Sequence, residues 1–178
     1  MVQSKYAGHG ERTLVVDHVK FSYEGLFNAS ELFSVLQGFF FEKGYDWYEK
    51  MNQEVITPQG KQIRLVVEPW KCTSEHNKIE MRIKLLMIDV KEVDVDHKGE
   101  RLRLNHGTVR ITFDGLVYSD RRSTWSSKPF YWFLLILMEK YFHHHHLEKF
   151  ELWVKSDLDD LHQRIKNYLN VFKYSYQQ

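Results

Sequence analysis

The sequence has 178 residues, of which 43% are hydrophobic and 15% are aromatic. This length and composition predict a folded protein with a substantial core and exclude disorder as the main state of the chain. Its 25 lysines and arginines almost balance its 24 aspartates and glutamates, so the overall charge gives no reason to expect a nucleic-acid partner.

Two features bear on where the protein works. The single cysteine, Cys72, cannot form an intramolecular disulfide, which fits a reducing compartment. Residues 1–10 lack the apolar stretch of a secretory signal, and the longest apolar run, residues 130–138, is shorter than a membrane span requires. We therefore expect a cytoplasmic protein without a transmembrane segment.

The N-terminal part of the chain predicts an arm, a strand and a helix. Residues 1–11 are small and polar and are expected to form a flexible arm, whereas the alternating pattern of residues 12–23 predicts a strand that Gly25 ends. Asn28 has the side chain of a helix N-cap, and Gly44 stands where the C-terminus of a helix favours glycine. The apolar residues between them recur at helical spacing, which predicts a helix there.

The middle of the chain predicts four antiparallel strands, with the first strand beside them. Residues 45–56 and 61–70 are expected to form a hairpin, and residues 78–96 and 100–118 form a longer pair. The four strands would follow one another in a meander.

Changes in the apolar alternation predict irregularities in the long strands. The parity of the strand at residues 78–96 changes near residues 85–86 and again near residues 90–93, which predicts a bulge or bend at each place. Gly107 and Gly115 accompany similar changes in the returning strand, as bulge glycines do. Bent strands of this kind are typical of a curved sheet.

The C-terminal part begins with a polar loop and a strongly apolar segment. An apolar helix is predicted near residues 129–145, and four consecutive histidines end it. Residues 149–155 alternate as a strand does, and residues 156–159 resemble the acid-rich first turn of a last helix. Residues 175–178 are expected to fray, so residues 12–174 would form a single domain.

This order of elements predicts an α+β fold. A curved antiparallel sheet of about six strands would carry the N-terminal helix, the apolar helix near residues 129–145 and the C-terminal helix on one face. In element order over about residues 12–173, the chain resembles the helix-grip superfamily that includes START domains and polyketide cyclases. That resemblance implies a long C-terminal helix held by the curved sheet, with an apolar cavity between them.

The leading functional hypothesis is the non-enzymatic binding of an apolar small molecule or lipid in such a cavity. As plain core the apolar helix needs no function, and the main alternative is a protein-interaction module in which residues 129–142 pack against a second copy, as in a homodimer, or against another protein. The proposed cavity lining combines this helix with the sheet and the last helix, and it consists of Phe133, Leu137, Tyr141, Met81, Ile83, Phe113 and Ile165.

Two weaker candidate sites lie near the apolar segment. Arg121 and Arg122 could hold a phosphate or carboxylate, although a solvated loop explains them equally well. Glu139 and His143 lie four residues apart on the predicted helix and could both reach one metal ion, but a catalytic zinc site normally has three protein ligands. A metal-assisted enzyme is therefore the third hypothesis, and no cofactor is predicted, because the sequence lacks the common nucleotide-binding and catalytic motifs.

Overall fold

A computed structural model describes residues 11–74, 77–97, 100–119 and 144–176. In chain order these residues form β1 (Glu11–Phe27), α1 (Ala29–Glu42), β2 (Glu49–Thr57), β3 (Gly60–Val67), β4 (Trp70–Ser74), β5 (Asn77–His97), β6 (Glu100–Ser119) and α2 (His144–Tyr176). The predicted apolar helix lies outside the described residues up to residue 143.

The six strands form one antiparallel sheet in the order β1-β6-β5-β3-β2, and β4 pairs with β5 beside β3. This confirms the α+β class and the antiparallel meander, and the first strand, which was expected beside the meander, pairs with β6. The predicted hairpin is also present, because Thr57 pairs with Gly60 at its turn. Among the described strands, β1 forms one edge of the sheet, and β2 and β4 form the other.

The long pair β5–β6 contains one of the two predicted irregularities. Its register shifts between Ile88 and Lys91, next to the predicted position, and Gly107 lies opposite the shift. The predicted bulge near residues 85–86 is wrong, since Leu85 and Leu86 pair with Ile111 and Arg110 without a break. The apolar side chain of Leu86 points away from the core. An apolar residue on this outer face gives the sequence the same pattern as a change of parity would.

The first strand and helix follow from local chemistry. β1 continues through Gly25 to Phe27, so the expected end of the strand at Gly25 is wrong. The Asn28 side chain caps α1 by accepting hydrogen bonds from the amides of Ser30 and Glu31, at 3.1 and 3.3 Å. Gly44 follows the helix with φ of 71°, a conformation that glycine adopts without steric cost.

The C-terminal region is one helix rather than a strand followed by a helix. The predicted strand at residues 149–155 is wrong, and so is the predicted helix start at residues 156–159, because α2 runs through both. Phe150 and Val154 are buried but Leu152 is 63% exposed, so the apolar residues follow the four-residue spacing of a helix face. The predicted strand was only seven residues long, and over so short a run the apolar positions fit both the two-residue period of a strand and the spacing of a helix face.

One face of the sheet packs against α1 and α2. The inward side chains of β3, β5 and β6 meet the buried stripe of α2, and the cluster includes Leu36 and Phe40 from α1. We call this the helix face of the sheet and the opposite one the open face. The core side chains of α2 are Phe150, Val154, Leu158, Leu161, Ile165 and Leu169.

Candidate functional site

The structure places four of the predicted cavity-lining residues in the core. Met81, Ile83, Phe113 and Ile165 are all on the helix face and are at most 1% exposed. The other predicted site residues lie outside the described part of the chain, and they are Phe133, Leu137, Tyr141, Arg121, Arg122, Glu139 and His143.

A cavity of about 250 Å³ lies between β1 and α2. Phe113 borders it together with Val16 and Val19 from the irregular part of β1, and α2 contributes the remaining lining residues. The ring of His162 contacts Phe113, with 5.9 Å between the ring centroids. This volume is below the range of about 300–1,000 Å³ that is typical of small-molecule sites.

A larger cavity, of about 710 Å³, lies on the open face of the sheet. We call it the basic cleft. Its outward-pointing lining comes from five strands and consists of Lys20, Ser22, Met51, Arg64, Val66, Lys84, Leu86, Arg110 and Thr112. The chain contributes these residues from five separate stretches, so only strand pairing brings them together.

Strand pairing explains how the cations meet. In one row across the sheet, Leu86 lies between Arg64 and Arg110. In the next row, Lys84 pairs with Thr112, which in turn pairs with Lys20. Lys84 is therefore the diagonal neighbour of both Arg64 and Arg110, and Lys20 is the diagonal neighbour of Arg110; Cα atoms in such positions lie ~7–8 Å apart. The four positive groups therefore surround one area of the open face.

Three of these cations lack an ionic partner among the residues that the structure describes. Lys84 Nζ lies 3.3 Å from Asp114 Oδ2, but no described carboxylate reaches Lys20, Arg64 or Arg110 at ion-pairing distance. These three side chains are also exposed. The half-buried Val66 and Leu86, with the partly exposed Met51, give the cleft an apolar floor.

The acidic groups at one end of the cleft are already neutralised. Glu68 accepts from Arg82 at 2.5 Å and from Lys50 at 2.9 Å. Burial would raise the pKa of Glu68, but the hydrogen bonds from Lys50 and Arg82 outweigh it and hold the pKa below its usual value. Asp114, which is buried, accepts from the His18 amide at 3.0 Å. These carboxylates therefore leave the positive charge of the cleft largely uncompensated.

Among the described residues on the same face, a buried lysine forms an ion pair, unlike three of the cations of the basic cleft. Lys78 Nζ lies 3.0 Å from Glu80 Oε2 and 4.9 Å from the centre of the Trp70 ring. Tyr118 donates its hydroxyl to the other Glu80 oxygen, and the centre of its ring lies 5.5 Å from Lys78 Nζ. Carboxylate and aromatic partners surround this lysine, in contrast to the cations of the basic cleft.

A cluster of potential metal ligands occurs at the irregular part of β1. His18 has φ of 51°, its ring contacts the carboxylate of Asp17, and its Nδ1 lies 3.4 Å from Asp114 Oδ1. Asp114 already accepts from a backbone amide and pairs with Lys84. Hydrogen bonds and ion pairs within the chain thus account for all three side chains.

A second ionic network connects α2 to the rest of the protein. Asp157 accepts from the Tyr45 hydroxyl at 2.9 Å and pairs with Lys71 at 3.2 Å and with Lys43 at 3.1 Å. Burial would raise the pKa of Asp157, but the bonds from Tyr45, Lys43 and Lys71 outweigh it and lower the pKa. Burial raises the pKa of Tyr45 and the negative charge of Asp157 raises it further, so the phenol remains a donor. The network joins α2 to β4 and to the connection that follows α1, and it serves the fold.

Comparison of the chain with protein-family models, curated proteins and solved structures finds no match. The helix-grip resemblance therefore stays a prediction, and the functional argument depends on the geometry of the site. Within the described residues, neither helix is long and apolar enough to cross a membrane.

Proposed function

We propose that this protein binds an anionic amphiphile in the basic cleft, meaning a molecule with a carboxylate or phosphate group and an apolar part. The observation that carries the proposal is the set of three unpaired cations beside Lys84, above an apolar floor. Hydrogen bonds to charged groups contribute about 1.5–3 kcal/mol each, so several cations around one anionic group give strong selectivity for charge.

The chemistry of the floor favours an acyl or other aliphatic group over a nucleotide base. The outward-pointing lining residues contain no aromatic ring on which a base could stack. Met51, Val66 and Leu86 instead provide flexible and branched aliphatic surface. The ligand class thus stays close to the small molecule or lipid predicted from the sequence, and the proposed place of binding moves to the open face.

The test is a comparison of ligands that differ only in their head group. We expect dodecyl phosphate and dodecanoate, used below their micelle-forming concentrations, to bind in isothermal titration calorimetry, and the neutral dodecanol to bind much more weakly. In the double variant Arg64→Ala/Arg110→Ala, the affinity for dodecyl phosphate should fall about 100-fold, because each lost charge-assisted bond contributes at least about 1.5 kcal/mol and each 1.4 kcal/mol is about a tenfold change.

The matched control is Arg101→Ala/Arg103→Ala. It removes the same number of arginines from exposed positions of β6 outside the cleft, so affinity should change less than about twofold. Equal affinity for dodecanol and dodecyl phosphate would contradict the proposal. So would an equal loss in the two double variants, which would show that only net charge matters. In that case the cations serve to keep an open sheet face from associating.

The predicted interaction module remains the second candidate function. It would use residues 129–142 as its contact surface, and this segment lies outside the described residues.

A further inference from the structure

The edge strand β2 has the properties of a site for strand addition. All of its residues except Thr57 are exposed, and they include Met51, Val55 at 55% and Ile56 at 84% exposure. Its contacts are chiefly with β3. Every second residue of an edge strand turns its N–H and C=O groups away from the sheet, so within the described part of the chain β2 presents a row of unpaired backbone groups beside exposed apolar side chains.

The opposite edge of the sheet is protected by comparison. β1 has register shifts between Leu14 and Val16 and between Val16 and Val19, and α2 packs against it. Bulges and covering helices are the usual means by which proteins prevent edge strands from pairing with other chains. In β2 the register shift lies at its start, between Glu49 and Met51, and residues 51–57 pair regularly with β3. β1 is therefore protected against pairing with another chain, whereas most of β2 is not.

The sequence of β2 is complementary to itself in one antiparallel register. If Gln53 lies opposite Gln53 of a second copy, Met51 lies opposite Val55 on both sides of it. Asn52 then faces Glu54 and no like charges oppose each other. Two of the three charged residues of β2 are already paired within the chain, Lys50 with Glu68 at 2.9 Å and Glu54 with Lys61 at 2.6 Å. Their pairing lowers the cost of bringing two copies together.

Neighbouring registers lack this match. A register centred on Glu54 places two carboxylates directly opposite each other, which is destabilising. A register centred on Asn52 places Val55 opposite Glu49 and includes the irregular segment between Glu49 and Met51. A parallel pairing in register would oppose every charge with its own copy. The pattern of apolar and charged residues thus selects the Gln53-centred register.

We propose that β2 pairs antiparallel with β2 of a second copy of this chain, centred on Gln53, to form one continuous sheet across a dimer. Paired residues of antiparallel strands point to the same face, and Gln53 pairs with Arg64 on the open face. The open faces of both copies therefore lie on the same side of the joined sheet. Two basic clefts then share one surface, although the pairing itself does not depend on what they bind.

Disulfide cross-linking tests the register. In a Cys72→Ser background, the Gln53→Cys variant is expected to form a covalent dimer under mild oxidation, because the two copies of residue 53 lie opposite each other. The control Val55→Cys is on the same face of the same strand, but its two copies would be four residues apart along the strand, ~13 Å. It should form little covalent dimer, and equal cross-linking of both variants would overturn the register.

Sedimentation analysis tests whether the dimer forms through β2. Pairing through one edge strand is a small interface, so we expect a reversible dimer at about 100 µM protein. Val55→Lys should shift the chain to monomer, since it places a lysine opposite Met51 of the other copy. Val171→Lys, a matched change of an exposed valine on α2, should leave the dimer intact. A chain that is monomeric at this concentration overturns the proposal, as does a dimer that survives Val55→Lys, which would point to another surface.

Discussion

Replacing Asp157 with alanine is expected to lower the free energy of unfolding by about 3 kcal/mol, measured by urea denaturation followed by circular dichroism. Its side chain is 12% exposed and pairs with Lys43 and Lys71 as well as accepting from the buried Tyr45. Removal of one partner from a buried ionic network leaves the others without compensation, which costs about 3–5 kcal/mol in known cases. We take the lower value because both lysines retain partial access to water.

Asp160→Ala is the control for this prediction. Asp160 lies on the same helix and pairs with the same Lys43 at 2.7 Å, but its side chain is 55% exposed. Exposed ion pairs contribute about 0–1 kcal/mol, so this variant should lose little stability. If both alanine variants lost the same amount, the argument from burial would be wrong.

The stability contribution of Asp157 should also depend on pH. Its pKa in the folded protein lies below the ordinary value of 3.8, so the folded state binds this proton more weakly than the unfolded state does. The stabilisation is then fully present above about pH 5 and is lost as pH falls through the lowered pKa. The difference in unfolding free energy between wild type and Asp157→Asn should be constant from about pH 5 to 7 and decrease below about pH 4. A constant difference down to about pH 2 would contradict this assignment.

Gly115→Ala is the second change with a large expected effect on stability. A Cβ atom at this position of β6 would stand 2.5 Å from Val154 Cγ1 and 3.0 Å from Leu158 Cδ1. α2 would have to move away from the sheet, and overpacking of this kind costs about 1–3 kcal/mol. We expect a loss near the upper end, about 2–3 kcal/mol in urea denaturation, because a branched side chain beside the helix backbone cannot easily turn away.

A second glycine provides the matched control. Gly38 lies within α1, and a Cβ atom there would meet nothing within 4 Å. Gly38→Ala should therefore raise stability by roughly 0.5–1 kcal/mol, as expected for a helix interior. In the double variant Gly115→Ala/Val154→Ala, the total loss should be smaller than the sum of the two single losses, because the smaller side chain makes room for the new methyl group. Additive losses would show that the clash lies elsewhere.

The two proposals, on the open face and on the β2 edge, can fail independently. A ligand that binds to monomeric protein supports the basic cleft without a dimer, and a dimer that binds no anionic amphiphile supports the edge pairing alone. If both hold, two clefts on one side of a joined sheet would present eight cations, and two linked sites raise the avidity for a surface that carries many anions.

Local sequence signals predicted the elements whose formation depends on neighbouring residues. The cap at Asn28 and the glycine after α1 determine a helix through hydrogen bonds and backbone sterics within a few residues. The alternation in β5 and β6 is long enough to require strands whatever lies beside them. The antiparallel class followed from these elements and their short connections.

The tertiary structure decided two kinds of feature. One is an element whose apolar spacing fits both a strand and a helix, and the other is a site whose residues are far apart in the sequence. Phe150 and Val154 suit a strand or a helix, and only burial of one continuous stripe against the sheet selects the helix α2. The basic cleft could not be predicted at all, because Lys20, Arg64, Lys84 and Arg110 each appeared as an ordinary solvent-facing residue of its own strand. Their positive charges become one site only because strand register places separate parts of the chain in adjacent rows.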